Sequence, residues 1–173
     1  MPTADRAGRR APRVPDEPML TMSTTVVAEE PDSPDARQLI AELDGELVPQ
    51  YPPRSHHGYS VEKLLREQVA FYVVRRDGAA AGCGGVQICG NEYAEVKRMY
   101  VRPRFRRLGL GKLMLGRLEA HARRQSVSLL RLETGIYQIE AIALYEAFGF
   151  RRIAPFANYW DDPLSAFYEK CIG

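Results

Sequence analysis

Between Arg106 and Lys112 the chain carries a short run of residues suited to holding an anion. In this run Gly109 and Gly111 stand two positions apart, and Arg106 and Arg107 precede them. Glycines leave the backbone N–H groups open to a ligand, because no side chain keeps the ligand away. The cationic side chains add charge-assisted hydrogen bonds. The chemistry that this spacing predicts is the binding of a phosphate or pyrophosphate group.

The elements on either side of this run would hold it in place. Apolar and aromatic residues over 93–101 predict a strand, which Pro103 ends. After Gly109, apolar residues recur every four positions from Leu110 to Ala122, which predicts an amphipathic helix. The first turn of a helix has unpaired N–H groups and the positive end of the helix dipole. A strand, a glycine loop and a helix in this order therefore predict an anion site.

Two common phosphate loops do not fit this spacing. A P-loop needs a glycine where Arg106 stands and Ser or Thr where Leu113 stands, and a dinucleotide fingerprint needs a glycine at Met114. What remains is the pattern Arg106-x-x-Gly109-x-Gly111 after a strand. It resembles the acyl-CoA pyrophosphate loop of the GNAT superfamily of N-acetyltransferases, in which Gln or Arg is followed by two residues, Gly, one residue, and Gly or Ala.

A second motif lies about thirty residues further along the chain. It reads Gln138-Ile-Glu-Ala-Ile-Ala-Leu-Tyr-Glu-Ala-Phe-Gly-Phe150. This run resembles the later GNAT motif Asn-x-x-Ala-x-x-Leu-Tyr-x-x-x-Gly-Phe, with Gln138 in place of the usual Asn. Two further runs, 132–135 and 162–165, resemble a small bacterial branch of the family. Both main motifs occur in the family's order, so the chain is similar to an acyl-CoA-dependent N-acetyltransferase.

The resemblance implies one GNAT domain over residues 22–173. This α/β (α+β) fold has a mixed, mostly antiparallel central sheet of about six to seven strands flanked by four helices. Residue patterns predict strands at 24–29, 69–75, 81–88, 93–101, 127–133, 150–153 and 164–171, and helices at 33–48, 61–66, from 109, and 139–148. Residues 1–21 are rich in Pro and Arg without a periodic apolar pattern, so we expect a disordered extension.

For the cofactor, the resemblance implies acetyl-CoA as co-substrate and no metal. It implies that strand backbone at Met99 and Val101 binds the pantetheine arm, and that the amides from Arg107 to Lys112 bind the pyrophosphate. The three His and three Cys residues show no metal-ligand spacing. The predicted cofactor-binding residues are Met99, Tyr100, Val101, Arg106, Arg107, Leu108, Gly109, Leu110, Gly111, Lys112 and Gln138.

The catalytic residues are predicted from what a thioester requires. The acceptor amine must attack in its neutral form, and the leaving CoA thiolate must gain a proton. Tyr145 occupies the position of the family's tyrosine acid, and a phenol of pKa about 10 stays protonated at neutral pH. Glu95 matches the position of the glutamate base in the histone-acetyltransferase branch. Glu95 could instead pair with Lys97 or Arg98, and Glu133 is the substitute base.

The connection over residues 51–58 overhangs the acceptor pocket in the resembled family. Tyr51, Arg54, His56 and His57 are therefore predicted substrate contacts, together with Glu133, and a solvated loop is the alternative. We predict acetyl transfer to a primary amine of a small molecule, such as an amino acid. The alternatives are a protein lysine or N-terminal acetyltransferase and a non-catalytic acyl-CoA-binding regulatory module.

Composition and charge narrow the other classes of function. The chain is 45% hydrophobic and 27% charged, with no long apolar run and no signal peptide, so we expect a cytoplasmic protein without membrane contact. The net charge is +2, yet residues 97–131 hold eleven Lys or Arg against Glu119. Few stacking aromatics accompany this charge, so we expect it to meet CoA phosphates and not nucleic acid. A homodimer is possible for the fold, but no residue pattern indicates one.

Overall fold

The computed structural model describes residues 22–173, and the extension predicted over residues 1–21 lies outside them. The strands are β1 (Thr24–Ala28), β2 (Ala70–Arg76), β3 (Ala79–Cys89), β4 (Tyr93–Val101), β5 (Leu129–Gly135), β6 (Arg151–Ile153) and β7 (Ser165–Cys171). The α-helices are α1 (Pro34–Leu47), α2 (Val61–Arg66), α3 (Leu110–Arg124) and α4 (Ile139–Ala147). Short 3-10 turns follow α1 and β4. The predicted order of strands and helices is confirmed.

All seven strands form one sheet in the order β1-β2-β3-β4-β5-β7-β6. Every neighbouring pair is antiparallel except β4 and β5, which run parallel. The mixed, mostly antiparallel sheet is therefore as predicted. The start of β5 was predicted two residues too early, because the N–H of Val127 bonds back to the carbonyl of Ala122 in α3. The buried Val127 side chain closes the helix end and does not begin the strand.

Alternation along the strands divides the core between the two faces of the sheet. In β2, Tyr72 and Val74 pack with α3, whereas Phe71 and Val73 pack with α1 and α2. All four side chains are buried. The period of two that defines a strand thus places helices on both faces of the sheet.

A break in the pairing between β4 and β5 places the site. Only two residues of β4, Ala94 and Glu95, pair with β5. Beyond them β4 carries one residue more than its other neighbour, β3, and Arg98 lies in this bulge with a φ of 57°. A bulge bends and twists the strand that contains it. The later halves of β4 and β5 therefore separate and leave a wedge between them.

The glycine run begins α3 as predicted. Gly109 is the N-cap residue, with a φ of 76°, a left-handed conformation that costs little only for glycine. No side chain caps this end of the helix. The predicted apolar face is buried in the core: Leu110, Met114, Leu115, Leu118 and Ala122. None of the helices within residues 22–173 is long and apolar enough to cross a bilayer.

Candidate active site

A cavity of about 380 Å³ occupies the wedge between β4 and β5. Its walls come from α1, the connection that follows it, β4, the end of β5, α4 and the tail segment before β7. The side chains that carry its chemistry are Glu95, Lys97, Glu133, Tyr145 and Tyr159. The structure therefore brings the predicted acid, the predicted base and its substitute to one cavity.

Tyr145 projects from α4 and is only 6% exposed. Its ring packs edge-on against Phe150, with the centroids 5.9 Å apart. Burial raises the pKa of Tyr145, and the nearby Glu133 charge adds to the effect. The hydroxyl makes no hydrogen bond with any residue from 22 to 173. The phenol is thus protonated and free to donate, as the predicted acid must be.

Glu95 lies in a closed hydrogen-bonded ring with the buried Lys97 and the partly buried Tyr159. Its Oε1 accepts from Lys97 Nζ and from the Tyr159 hydroxyl, each at 2.5 Å. Lys97 Nζ also donates to the Tyr159 oxygen at 2.8 Å. Burial lowers the pKa of Lys97, although Glu95 acts in the opposite direction. Glu95 therefore lines the cavity and is paired with Lys97, which was the alternative considered for it, while its role as a base stays a prediction.

Tyr159 was not identified from the sequence. It lies in an irregular stretch between β6 and β7, where no periodic pattern marks a site. Burial raises its pKa, and Glu95 contributes. The only available signal was the concentration of aromatic residues in this tail, of which Phe156 and Phe167 pack edge-on around the Tyr159 ring. Those contacts fix the hydroxyl that reaches Glu95.

Glu133 lies near the end of β5, as predicted. Its Oε1 accepts a hydrogen bond from Ser165 Oγ at 2.6 Å. Burial raises the pKa of Glu133, while Ser165, His57 and Lys97 oppose the shift. No Lys, Arg or His side chain of residues 22–173 lies within ion-pair distance of this carboxylate. Glu133 is thus a cavity carboxylate without a direct cationic partner.

Tyr51 ties the connection after α1 to the turn between β5 and α4. Its ring stacks on Tyr137 at 5.4 Å, and its hydroxyl accepts hydrogen bonds from the Tyr137 N–H at 3.0 Å and from Gln138 Nε2 at 3.3 Å. A Cβ at Gly135 would lie 2.1 Å from the Tyr51 hydroxyl oxygen, so only glycine allows this approach. Gln138 is the N-cap residue of α4 but makes no side-chain cap, which leaves its predicted cofactor contact a prediction.

His57 ties the same connection to the tail segment. Its Nε2 lies 3.2 Å from Asp162 Oδ2, and Asp162 is 2% exposed. His56 also lines the cavity, with Nε2 2.8 Å from the Tyr51 carbonyl oxygen. Arg54 is exposed, outside the cavity lining, and stacks over Trp160 at 5.9 Å. Of the predicted acceptor contacts, Arg54 is therefore the one that the structure does not bring to the cavity.

The predicted pyrophosphate loop lies at the N-terminus of α3. Arg107, Leu108, Gly109 and Lys112 are exposed there. Arg106 differs from them, because its side chain and its N–H are both occupied within the protein. These contacts run to Glu46 at 2.9 and 3.1 Å, to the Val101 carbonyl at 2.9 Å and to the Pro103 carbonyl at 3.2 Å. Arg106 fixes the loop to α1 and β4 through Nε and Nη2, and its predicted cofactor contact stays a prediction.

The predicted cofactor set also contains side chains that are packed in the core. The Tyr100 side chain is buried on the opposite face, where its hydroxyl donates to Glu46 at 3.2 Å. Leu110 is buried in the core beneath α3. Met99 lines the cavity. In the part of the chain that the structure describes, no three His, Cys, Asp or Glu side chains are grouped to hold a metal ion.

Comparison with known proteins gives a consistent result. Residues 40–150 match the model of the family described as Acetyltransferase (GNAT) family. The IAA acetyltransferase of Azospirillum brasilense is 42% identical over 149 residues, which are 86% of this chain and 97% of that protein. The uncharacterized N-acetyltransferase YsnE of Bacillus subtilis is 35% identical over 121 residues, 69% of this chain and 80% of that protein.

Solved structures show the same fold. A proposed acyl-CoA N-acyltransferase from Klebsiella pneumoniae superposes with a TM-score of 0.72 at 35% identity, covering 87% of this chain and 98% of that one. The PaiA N-acetyltransferase of Thermoplasma acidophilum, solved in complex with coenzyme A, has a TM-score of 0.70 at 21% identity over 87% of this chain and 99% of its own.

Proposed function

Because this chain belongs to the acetyltransferase (GNAT) family, we propose that it transfers an acetyl group from acetyl-CoA to a primary amine of a small molecule. The transfer takes place by direct attack while both substrates are bound. The amine nitrogen forms a bond to the thioester carbon, the C–S bond breaks, and the CoA sulfur gains a proton. Holding both substrates in one cavity lowers the entropic cost of their encounter.

The closure of the cavity carries the choice of a small acceptor. Tyr51 ties one wall to the β5–α4 turn, and the His57–Asp162 contact ties the same wall to the tail segment. The cavity volume of about 380 Å³ is in the range of small-molecule pockets. A protein acceptor would need an open groove. The groove would have to hold chain on both sides of a lysine, or on one side of an N-terminal amine.

The charges in the cavity favour a cationic group on the acceptor. Arg98 is paired with Asp44, with N–O distances of 2.7 and 3.1 Å, and Lys97 is paired with Glu95. Glu133 is left without such a partner among residues 22–173. An ammonium group beside Glu133 would supply the missing charge, so we assign Glu133 to binding the acceptor amine.

Tyr145 is proposed as the acid that protonates the leaving thiolate. Its protonated state and its unoccupied hydroxyl support this role. The cofactor pyrophosphate is proposed to bind the open amides at the start of α3, which is the usual place for a phosphate at a helix N-terminus. Glu95 was predicted as the base, and the structure shows one of its oxygens already holding two donors.

The test is release of free CoA thiol from acetyl-CoA with a panel of acceptors. The panel contains amino acids, simple amines, polyamines, aminoglycosides, lysine peptides and IAA, the compound in the name of the Azospirillum relative. We expect turnover on a small amine and little on peptides. Turnover on peptides alone would instead identify a protein acetyltransferase. Thermal stabilisation by acetyl-CoA without turnover on any acceptor would support a binding module and contradict the proposal.

A further inference from the structure

We infer that His57, positioned by Asp162, is the group that takes the proton from the acceptor amine. The inference rests on the proposed function, since it names the base of that reaction. It departs from the sequence-based prediction, in which Glu95 was the base and His57 a substrate contact.

The Asp162 carboxylate determines which nitrogen of His57 carries the proton. Asp162 Oδ1 accepts the Leu164 N–H at 3.0 Å, and Oδ2 lies 3.2 Å from His57 Nε2. Burial opposes ionisation of Asp162, but the Leu164 N–H and His57 hold its pKa below the ordinary value. An ionised carboxylate only accepts hydrogen bonds, so Nε2 must be the donor. Nδ1 is then left with a lone pair.

That lone pair belongs to a side chain of the cavity wall. His57 lines the cavity, and its Nδ1 makes no hydrogen bond with any residue of the described chain. The imidazole is held edge-on to Tyr159 at 5.4 Å between ring centroids. A neutral imidazole oriented by a carboxylate is a common arrangement for a general base, because the carboxylate stabilises the imidazolium that forms.

The three carboxylates that line the cavity are less suited to this step, and one of them, Asp44, is paired with Arg98. Glu95 Oε1 already accepts hydrogen bonds from Lys97 and Tyr159. Glu133 is assigned to the acceptor ammonium, and it lines the same cavity as His57. An ammonium held against Glu133 would therefore share the cavity with the imidazole of His57.

The groups around His57 include more acids than cations. Asp162 contacts it directly, and the cavity wall also contains two ion pairs and the tyrosines Tyr59, Tyr145 and Tyr159, whose pKa values are raised by burial. Gly58, the next residue, packs against the Arg98 guanidinium, where a Cβ would lie 2.6 Å from Nη1. The charged groups that share the cavity with His57 are Asp44, Glu95, Lys97, Arg98 and Glu133.

Each proton of the acceptor ammonium has a defined destination in the proposed reaction. Nδ1 of His57 takes one proton from the ammonium, and the freed lone pair forms the C–N bond. The C–S bond breaks with its electron pair on sulfur, and Tyr145 protonates the sulfur. The second amine proton restores the Tyr145 phenol, and His57 releases its proton to solvent. The products are the acetamide, CoA thiol and one proton.

The kinetic test compares His57→Gln and Asp162→Asn with the wild type. The base must be neutral to accept a proton, so wild-type kcat/KM should fall on the acid side of its pH profile, which is the acid limb. His57→Gln should lower kcat by about 10²-fold or more and remove this acid limb. Asp162→Asn should shift the limb to lower pH, since a stabilising charge is lost. The control is His121→Gln. His121 lies on α3 and is hydrogen-bonded to Tyr72 of β2, so this variant should keep the acid limb of the pH profile.

Two further measurements separate a catalytic role from a structural one. Added imidazole should restore part of the activity of His57→Ala, and nitrogen NMR of the full chain should show His57 protonated on Nε2 and not on Nδ1. A wild-type pH profile in His57→Gln, or an Nδ1–H tautomer, would overturn the inference. Absence of turnover by the wild type would contradict the proposed function instead, and the tautomer would then decide the inference alone.

Discussion

Tyr145 and Glu95 are both buried beside one cavity, but they differ in their hydrogen bonds. Both are nearly inaccessible, at 6% and 4% exposure. The Tyr145 hydroxyl has no hydrogen-bond partner among residues 22–173, whereas one oxygen of Glu95 has two. A proton donor needs an open direction toward the leaving group, and Tyr145 has it. At the residue scale, the acid is therefore the better supported of the two sequence-based assignments, although its role remains a prediction.

Replacing Tyr145 by Phe should lower kcat by about 10²-fold, because the thiolate would lose its proton donor. The dissociation constant for CoA should hardly change. Since the pKa of Tyr145 is raised, the wild type should show no loss of activity from this group up to pH 9. Tyr72→Phe removes another buried hydroxyl, one that lies against His121, and serves as control. A Tyr145→Phe enzyme with normal kcat would remove Tyr145 from the mechanism.

Helix α1 is attached to β4 and the loop after it by three ion pairs. Each joins an acid of the helix to an arginine, and at least one partner in each pair is half-buried or buried. The pairs are Glu42 with Arg102, Asp44 with Arg98, and Glu46 with Arg106. At the element scale this explains the acidic first helix and the basic residues around the glycine loop. Much of that opposite charge is used to hold one wall of the cavity.

Glu42→Gln should lower the free energy of unfolding at pH 7 by about 1 kcal/mol, because the bidentate contact with Arg102 is weakened. The hydrogen bond from Arg102 lowers the pKa of Glu42 below 4.5 in the folded protein. The contribution is therefore present above about pH 4.5 and is lost as the pH falls through the lowered value. Thermal unfolding at pH 7 and at pH 3.5 measures it. Glu92→Gln, in an exposed turn, should show no such difference.

Gly109→Ala tests the start of α3. Alanine at a φ of 76° should cost about 1 to 2 kcal/mol and displace the amides proposed to bind pyrophosphate, so CoA should bind more weakly. No atom lies within 4 Å of a Cβ at Gly109, so the effect would come from the backbone alone. Gly116→Ala is the matched control, because it lies in the exposed middle of α3 and should stabilise the helix by about 0.5 to 1 kcal/mol. Equal CoA affinity in both variants would contradict the proposed loop.

Gly111 is a less selective position for the same test. A Cβ there would lie 2.7 Å from Leu144 Cδ2. The sequence alone placed Gly111 in the predicted pyrophosphate loop. In the structure, bulk at this position would also disturb the packing of α3 against α4.

The sequence predicted the elements far better than the contacts between distant segments. Two motifs and regular apolar spacing were sufficient for the sheet, the four helices and the positions of Tyr145 and Glu133. The Glu95–Tyr159 and His57–Asp162 contacts join residues 64 and 105 positions apart. Both partners in the tail lie outside helices and strands, so neither periodicity nor a motif could pair them. Such contacts depend on how the whole sheet brings its connections together.

At the scale of the whole molecule, the two halves of the proposed site come from different parts of the chain. The cofactor half is built from one continuous run, β4 through α4. The acceptor walls come from α1 and its following connection and from the tail segment before β7. The parallel β4 and β5 then hold these parts around one wedge.

Tyr51→Phe should affect the acceptor half alone. It removes the oxygen that accepts from the Tyr137 N–H and the Gln138 amide, a loss of about 1 kcal/mol. We expect kcat/KM for the acceptor to fall about fivefold, which corresponds to that energy, while the dissociation constant for CoA stays unchanged. Measuring both constants in the same preparation checks this. A larger effect on CoA than on the acceptor would show that Tyr51 belongs to the cofactor half.

The His57–Asp162 contact also has a consequence for recombining this protein with its relatives. Because one member comes from the connection after α1 and the other from the tail, the two segments form a single unit of exchange. Chimeras that import both segments together should acquire the donor's acceptor preference and keep their own cofactor site. Chimeras that import only one segment would combine a histidine and a tail from different proteins, and the contact that joins the two cavity walls would be lost.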